Sequence, residues 1–292
     1  MVAYDPKDWF SFIFRFHQSD TFRKLWPLLI AVSVYSGIIG YVELSYWSLS
    51  ENPYLKNLTL LHNLLGFVLS LLLVFRTNTA YDRWWEGRKA WGTLTNTSRN
   101  LAIALNGILK PGDHANRSFF KSIIPLFADA LVKHLSAETT RLALDPEAHA
   151  DIPELDHAKH LPNQVAALIQ QRTSRLLHEG LIRQEEYLAI SPLILTLTDV
   201  SGICERIKNT PIPFSYSAFL KKFIFFYVMT LPFGFVFSLG YYVIPVAAFV
   251  LYVLASLELI AEEIEDPFGK DTNDLPTDRI AANIRKHVGE IL

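Results

Sequence analysis

The chain has 292 residues, of which half are hydrophobic and only 19% are charged, and its formal net charge is −2. This balance excludes a general electrostatic attraction for nucleic acid, and the single Cys204 excludes an internal disulfide framework. Residues 1–16 lack the basic-then-apolar order of a cleaved signal peptide, so we expect later apolar segments to direct the chain to a membrane.

Apolar segments long enough to cross a bilayer occur in two places, since one crossing needs about 20 mostly apolar residues. Region 25–75 contains the first two, at 25–47 and 58–75, and it ends beside Arg76. Region 219–261 is too long for one crossing and divides at Leu239-Gly240-Tyr241. The sequence therefore predicts an all-α membrane protein with two transmembrane hairpins.

The remaining segments are predicted to be cytoplasmic: an N-terminal segment 1–24, a helical region 76–218, and an acidic turn with a helix in 262–292. Basic residues flank the same ends of all four spans, whereas the opposite loops carry only Glu51 and Lys56. The flanking set is Arg23, Lys24, Arg76, Arg83, Arg88, Lys89, Lys208, Lys221 and Lys222. By the positive-inside rule, both termini are predicted to face the cytoplasm. We expect the protein to lie in the inner (plasma) membrane of the cell.

Motifs of enzyme chemistry are not found in the sequence. It contains no phosphate-binding glycine loop, nucleophile elbow or His-Glu zinc motif. His149, His157 and His160 lie among acidic residues in a proline-broken stretch, which is more typical of a solvated loop than of a zinc site. We therefore expect neither an enzyme nor a required cofactor.

Several short strings resemble the bestrophin family, particularly its bacterial branch. They are Phe75-Arg76-Thr77-Asn78, Arg83-Trp84-Trp85-Glu86, Cys204-Glu205-Arg206-Ile207, Thr210-Pro211-Ile212-Pro213-Phe214, and Glu262-Glu263-Ile264-Glu265-Asp266-Pro267-Phe268-Gly269. The resemblance implies a barrel-shaped homopentamer around one pore, with four membrane helices in each subunit. It implies passive conduction of small inorganic ions and leaves both anions such as chloride and monovalent cations such as sodium open.

The second span contains a candidate gate. Phe67, Leu71 and Phe75 recur at steps of four and so share one helix face. The resemblance implies that these side chains form the hydrophobic neck of the pore; the alternative is that they pack against helices or lipid. Asn63, one turn earlier, is a candidate for the outer mouth, with His62 beside it, although either side chain could instead hydrogen-bond another helix.

The acidic string after the last span is a candidate calcium clasp. The resemblance implies ligands from Glu263, Asp266, Asp271 and Asp274, with a backbone oxygen near Val2, and calcium prefers such oxygen donors. The alternative is that Pro267 to Gly269 ends the last membrane helix and the acids solvate the turn. Calcium or another divalent cation is thus an optional ligand in this interpretation.

Two other functions remain open. A secondary transporter usually has paired broken helices in an inverted repeat, but Pro232 and Pro245 interrupt only the second hairpin, and the first has no counterpart beyond Pro27. A membrane scaffold that conducts nothing is the other alternative. The expected partners are four further copies of the chain, lipid and small ions.

Overall fold

The computed structural model describes residues 20–47, 58–136, 155–156 and 159–292, and every regular element within these ranges is helical. The helices are α1 (Asp20–Val42), α2 (Leu58–Ile108), α3 (His114–Ser136), α4 (Leu161–His178), α5 (Gln184–Asn209), α6 (Phe214–Leu239), α7 (Val243–Glu265) and α8 (Thr277–Ile291). A π-helical turn, Glu43–Trp47, continues α1, and a 3-10 turn, Gly240–Tyr242, joins α6 to α7. The all-α prediction is confirmed for these residues.

Helix α2 has 51 residues, a length of about 75 Å at 1.5 Å per residue. The second span is predicted to end at 75, and the helix itself continues without interruption past that position. No proline interrupts residues 58–108, and the first strong breaker is Pro111-Gly112. One helix therefore carries both the candidate neck and the start of the region 76–218.

The α6–α7 hairpin turns where the sequence predicts, at 239–241. Gly240 has a φ of +55°, a backbone conformation that favours glycine over residues with a side chain. The 3-10 turn then leads directly into Val243, so the two apolar helices follow one another with almost no loop.

The chain divides into two compact units. The apolar unit contains, among the described residues, 20–47, 58–82 and 211–265; the amphipathic unit contains 83–136, 155–156, 159–210 and 266–292. Helix α2 contributes its first half to one unit and its second half to the other. The packing changes after Asp82, Thr210 and Glu265. The boundaries at 24, 75, 218 and 261 separate membrane from cytoplasmic segments and stay predictions.

In the apolar unit, aliphatic side chains from α1, α2, α6 and α7 form the core. Leu69, Leu220, Val236, Val243 and Ala247 are fully buried. Gly66 leaves room for the Tyr227 side chain of α6, because a Cβ placed there would lie 2.7 Å from the Tyr227 hydroxyl. Small residues are typical of contacts between membrane helices, where van der Waals packing holds the helices together.

In the amphipathic unit, the second half of α2 packs with α3, α4, α5 and α8 around aromatic and aliphatic side chains. Trp91, Phe120, Phe127, Ile169 and Leu197 are fully buried there. Helix α8 buries Ala281, Ile284 and Val288 in this core. An ion pair between Arg285 and Asp129 connects α8 to α3.

Within the described part of the chain, four helical stretches are long and apolar enough to cross a bilayer: Thr21–Tyr46, Leu58–Ile108, Gln184–Asn209 and Phe214–Glu265. The last of these contains both α6 and α7, and the third is α5, which the sequence analysis placed in the cytoplasm. Helix α5 buries Ile190, Leu197 and Val200 in the core of the amphipathic unit. Packing among the other helices of the bundle therefore explains the apolar residues of α5, and its high mean hydropathy does not require contact with lipid.

Candidate pore face and acidic turn

Helix α2 has two opposite faces within the apolar unit. His62, Leu69, Leu73, Arg76 and Ala80 are almost completely buried. At 100° per residue they occupy one arc of the helix, and the candidate neck residues occupy the arc opposite to it. The buried arc holds α2 against its neighbours, so the opposite arc is free for another role.

The opposite arc is apolar and exposed. Phe67, Leu71 and Phe75 are 68%, 46% and 57% exposed, and Val74 projects within the same arc. The three predicted neck residues extend over about 12 Å along the axis. Their exposure in the single chain agrees with either a pore or a lipid surface, and it disagrees with the alternative that they pack inside the subunit.

Polar amides flank this stripe. Asn63 is exposed one turn before Phe67, and Asn78 is exposed one turn after Phe75. His62, by contrast, is buried on the other face, where its ring lies 3.1 Å from the Thr230 hydroxyl. The alternative that His62 bonds to another helix is thus correct for His62, and Asn63 remains the candidate for the mouth.

Arg76, directly after the last neck residue, is held on the buried face by two carboxylates of α7. Its Nη2 donates to Glu265 Oε2 at 2.7 Å, and its Nε lies 3.4 Å from Glu258 Oε2. The second oxygen of Glu265 accepts the Ile212 backbone N–H at 2.5 Å. This ion-paired group ties α2, α7 and the segment before α6 together inside the apolar unit.

Two further acids of α7 form ion pairs with other helices. Glu263 is buried and pairs with Lys24 of α1 at 3.0 Å. Glu262 is half-exposed and pairs with Lys221 of α6 at 2.9 Å. Negative side chains at a helix C-terminus are unfavourable beside the negative end of the helix dipole, so these cations stabilise the end of α7. Sequence analysis missed these pairs.

The acidic turn, residues 266–275, follows in the amphipathic unit. It packs against α2 at Gly87, where a Cβ would lie 3.1 Å from Phe268 and 3.2 Å from Pro267. Trp84 Nε1 also donates to the Asn273 carbonyl at 3.0 Å. The turn is therefore a fixed structure, built on the same helix that carries the neck.

The predicted clasp residues of this turn differ in burial. Asp266 and Asp271 are exposed, whereas Asp274 is buried, and its Oδ2 accepts the Asp271 backbone N–H at 2.6 Å. Its Oδ1 is buried without a hydrogen-bond partner, and burial raises the pKa of Asp274 to about 6. A buried carboxylate oxygen of this kind fits a cation ligand. Val2 lies outside the described residues.

These features define a multi-span helical membrane protein: long apolar helices that expose many apolar side chains, and ion pairs gathered at one end of the apolar unit. The model of the bacterial and fungal bestrophin proteins matches residues 1–290. The chain belongs to the bestrophin family, as the sequence motifs predicted.

Relatives extend this comparison. A voltage-dependent anion channel-forming protein of Synechocystis sp. is 37% identical over 235 residues, covering 78% of this chain and 75% of the relative. Another protein of that description, from Ralstonia nicotianae, is 29% identical and covers 100% of this chain and 94% of the relative.

Solved structures agree with the fold. A crystal structure of a bacterial bestrophin homologue from Klebsiella pneumoniae, a single-residue variant, has a TM-score of 0.79 and 27% identity, covering 92% of this chain and 98% of that chain. A second structure of that homologue has a TM-score of 0.78 and 29% identity, covering 90% and 96%.

Proposed function

We propose that this protein is a homopentameric channel that passively conducts small inorganic anions through a pore lined by α2. The observation that carries the proposal is the exposed apolar arc of Phe67, Leu71 and Phe75, opposite the buried face of the helix. The names of the two relatives, which describe anion channel-forming proteins, support the choice of anions over cations. No enzyme activity is part of this function.

The neck would control conduction by losing or retaining the water inside it. Five copies of α2 around an axis place the three side chains in three stacked apolar rings. A narrow apolar ring loses its water, and an ion cannot shed its hydration shell there without polar replacement. Small rotations of α2 would then open or close the path, and the amides of Asn63 and Asn78 would meet the ion at either end of the stripe.

Exposed apolar side chains outside the apolar unit support the assembly. Ile103 is 54% exposed, and Leu188 and Leu195, seven residues apart on one face of α5, are each 60% exposed. Contact with lipid does not explain the exposure of these apolar side chains, because they lie outside the proposed membrane spans. Contact between subunits does explain it. We assign these residues to interfaces of the pentamer.

The proposed topology has four spans, in α1, the first half of α2, α6 and α7, with both termini in the cytoplasm and the protein in the inner membrane. Arg76, Lys24 and Lys221 lie at one end of these helices, and the positive-inside rule assigns that end to the cytoplasm.

The acidic turn is proposed as an optional site for a hard divalent cation such as calcium. Asp274 would provide a buried oxygen, with Asp266 and Asp271 as exposed donors. The bound cation would offset the negative charge of Asp274. The resemblance adds Glu263 and a backbone oxygen of Val2, but Glu263 is already paired with Lys24.

The experiment that tests this function is the reversal potential of purified protein in planar bilayers under a salt gradient. We expect a shift toward the chloride equilibrium potential. A shift toward the cation potential would overturn anion selectivity. Saturable counterflux would indicate a transporter, and the absence of any current would indicate a scaffold; either result would overturn the channel itself.

A triple variant tests the neck. Replacing Phe67, Leu71 and Phe75 by Ala widens the proposed rings, so we expect larger single-channel conductance or weaker gating. The matched control replaces Ile30, Val34 and Ile38 of α1 by Ala, because these side chains have the same spacing and similar exposure on a different helix. Equal currents in the triple variant and the control would remove the arc from the conduction path.

A further inference from the structure

A group of three ligand-type side chains lies in the amphipathic unit, apart from both the neck and the acidic turn. His134 is in the last turn of α3, His160 directly precedes α4, and Glu205 is in the C-terminal half of α5. Three different segments therefore supply the side chains. Among the residues that the structure describes, their ligand atoms all lie within 4.8 Å of one another.

The individual distances are those of a compact site. His160 Nε2 lies 2.7 Å from Glu205 Oε1, and His134 Nε2 lies 3.4 Å from the same oxygen. The imidazole rings are stacked at a tilt, with centroids 4.3 Å apart. Ligands of a tetrahedral zinc ion, at about 2.0 to 2.1 Å from the metal, are separated from each other by about 3.3 Å. Small side-chain shifts would bring all three atoms onto one ion.

We propose that His134, His160 and Glu205 bind a divalent transition-metal ion, with zinc as the best match. Two imidazole nitrogens and one carboxylate oxygen form a donor set that suits zinc and is too rich in nitrogen for calcium or magnesium. About a third of each side chain is exposed, which leaves room for water as a fourth ligand.

The surroundings contain contacts that orient the ligands. Ser201, one turn before Glu205, donates to Glu205 Oε1 at 2.8 Å. Hydrogen bonds of this kind fix the direction of a ligating carboxylate. Lys208 donates to the Leu135 carbonyl on the same side and is a nearby positive charge that opposes metal binding.

One contact has to change when a metal binds. His160 Nδ1 accepts the Asn163 backbone N–H at 3.2 Å and so caps α4, which leaves the ring proton on Nε2. Coordination through Nε2 moves that proton to Nδ1 and opens the cap. Loss of an N-cap bond weakens affinity by about fivefold. Metal binding is thus coupled to the start of α4, and it would clamp α3, α4 and α5 together.

The test uses the full-length protein without a histidine tag, treated with a chelator and then titrated with zinc chloride in detergent. We expect saturable binding of one zinc per chain and a rise in melting temperature. His134→Ala should lose this rise with zinc and keep any rise that calcium gives through the acidic turn. Cobalt in place of zinc should give the visible absorption bands of a tetrahedral complex. No saturable zinc binding and no such bands would overturn the proposal.

Variants locate the ion. We expect Glu205→Gln and His134→Ala to weaken zinc binding by at least about tenfold. The control is His178→Ala, which removes an exposed histidine of α4 that lies outside the group. Glu205→Gln keeps the size and an acceptor oxygen for Ser201, so a folded variant is expected by gel filtration. Unchanged zinc affinity in a folded Glu205→Gln protein would overturn the assignment, as would equal loss in the His178 control.

Discussion

Replacing Arg76 by Met tests whether the buried ion pairs hold the apolar unit together. The guanidinium is 1% exposed and touches the carboxylates of Glu258 and Glu265, while its Nη1 has no hydrogen-bond partner. Arg76→Met keeps much of the side-chain length but leaves Glu258 buried without its cation. Removing one partner of a buried pair lowers the free energy of unfolding by about 3 to 5 kcal/mol. Replacing both partners by apolar residues of similar size costs far less.

The matched control is Lys221→Met. The Lys221–Glu262 pair has a similar distance at the same end of the unit, but its side chains are 49% and 51% exposed. Exposed pairs of this kind contribute about 0 to 1 kcal/mol. We therefore expect Arg76→Met to lower the apparent melting temperature by about 5 to 15 °C and Lys221→Met by at most about 3 °C.

The assay is thermal unfolding in detergent at one fixed heating rate, followed by intrinsic fluorescence and by the monodisperse fraction in gel filtration. A double variant, Arg76→Met with Glu258→Met, should recover part of the loss, because it removes the stranded Glu258 charge while Glu265, whose other oxygen accepts the Ile212 N–H, stays without its cation. Equal effects of Arg76→Met and Lys221→Met would refute the reasoning. Failure of the double variant to recover any stability would show that Glu258 was not the charge left uncompensated.

Three further predictions concern the amphipathic unit. Gly87→Ala should lower the free energy of unfolding by about 1 to 3 kcal/mol, because the new Cβ crowds the Phe268 ring. The control Gly202→Ala adds a Cβ in open space on α5 and should be neutral or stabilising. Equal shifts in the melting temperatures of the two variants would contradict this prediction. The Asp274 carboxyl has a pKa of about 6 in the folded chain against 3.8 ordinarily, so its burial reduces stability as pH rises from about 4 to about 6. Asp274→Asn should therefore raise the free energy of unfolding at pH 7.5 in chelator by up to about 3 kcal/mol, and leave it unchanged near pH 4. The same stability change at both pH values would argue against it. Burial raises the pKa of Cys204 to about 12, so this lone thiol should resist maleimide until the protein is denatured, and rapid labelling of the native protein would count against the packing of α5.

The sequence predicted local features well. Apolar length and one glycine were enough to locate the α6–α7 hairpin, because both signals lie within a few residues of the turn. Helical spacing also placed Phe67, Leu71 and Phe75 on one face. It could not say whether that face is buried, since adjacent residues such as His62 and Asn63 point about 100° apart and only packing decides which one is inside.

Distant pairings were the part that could not be predicted. Arg76 meets Glu258 across 182 residues of chain, and His160 meets Glu205 across 45. No local pattern encodes such a meeting. His160 was grouped by sequence with its loop neighbours His149 and His157, but its nearest ligand-type partners among the described residues are on α3 and α5.

The acidic string 262–266 illustrates why a run of like residues need not form one site. Successive residues of a helix point about 100° apart, so carboxylates within α7 diverge: Glu262 meets α6, Glu263 meets α1, and Glu265 meets α2. Convergence on a single cation requires backbone that has left the helix, and α7 ends at Glu265. The acids are therefore divided at that residue. The helical ones pair with cations of other helices in the apolar unit, and Asp266, Asp271 and the buried Asp274 lie in the non-helical turn that we propose as a cation site.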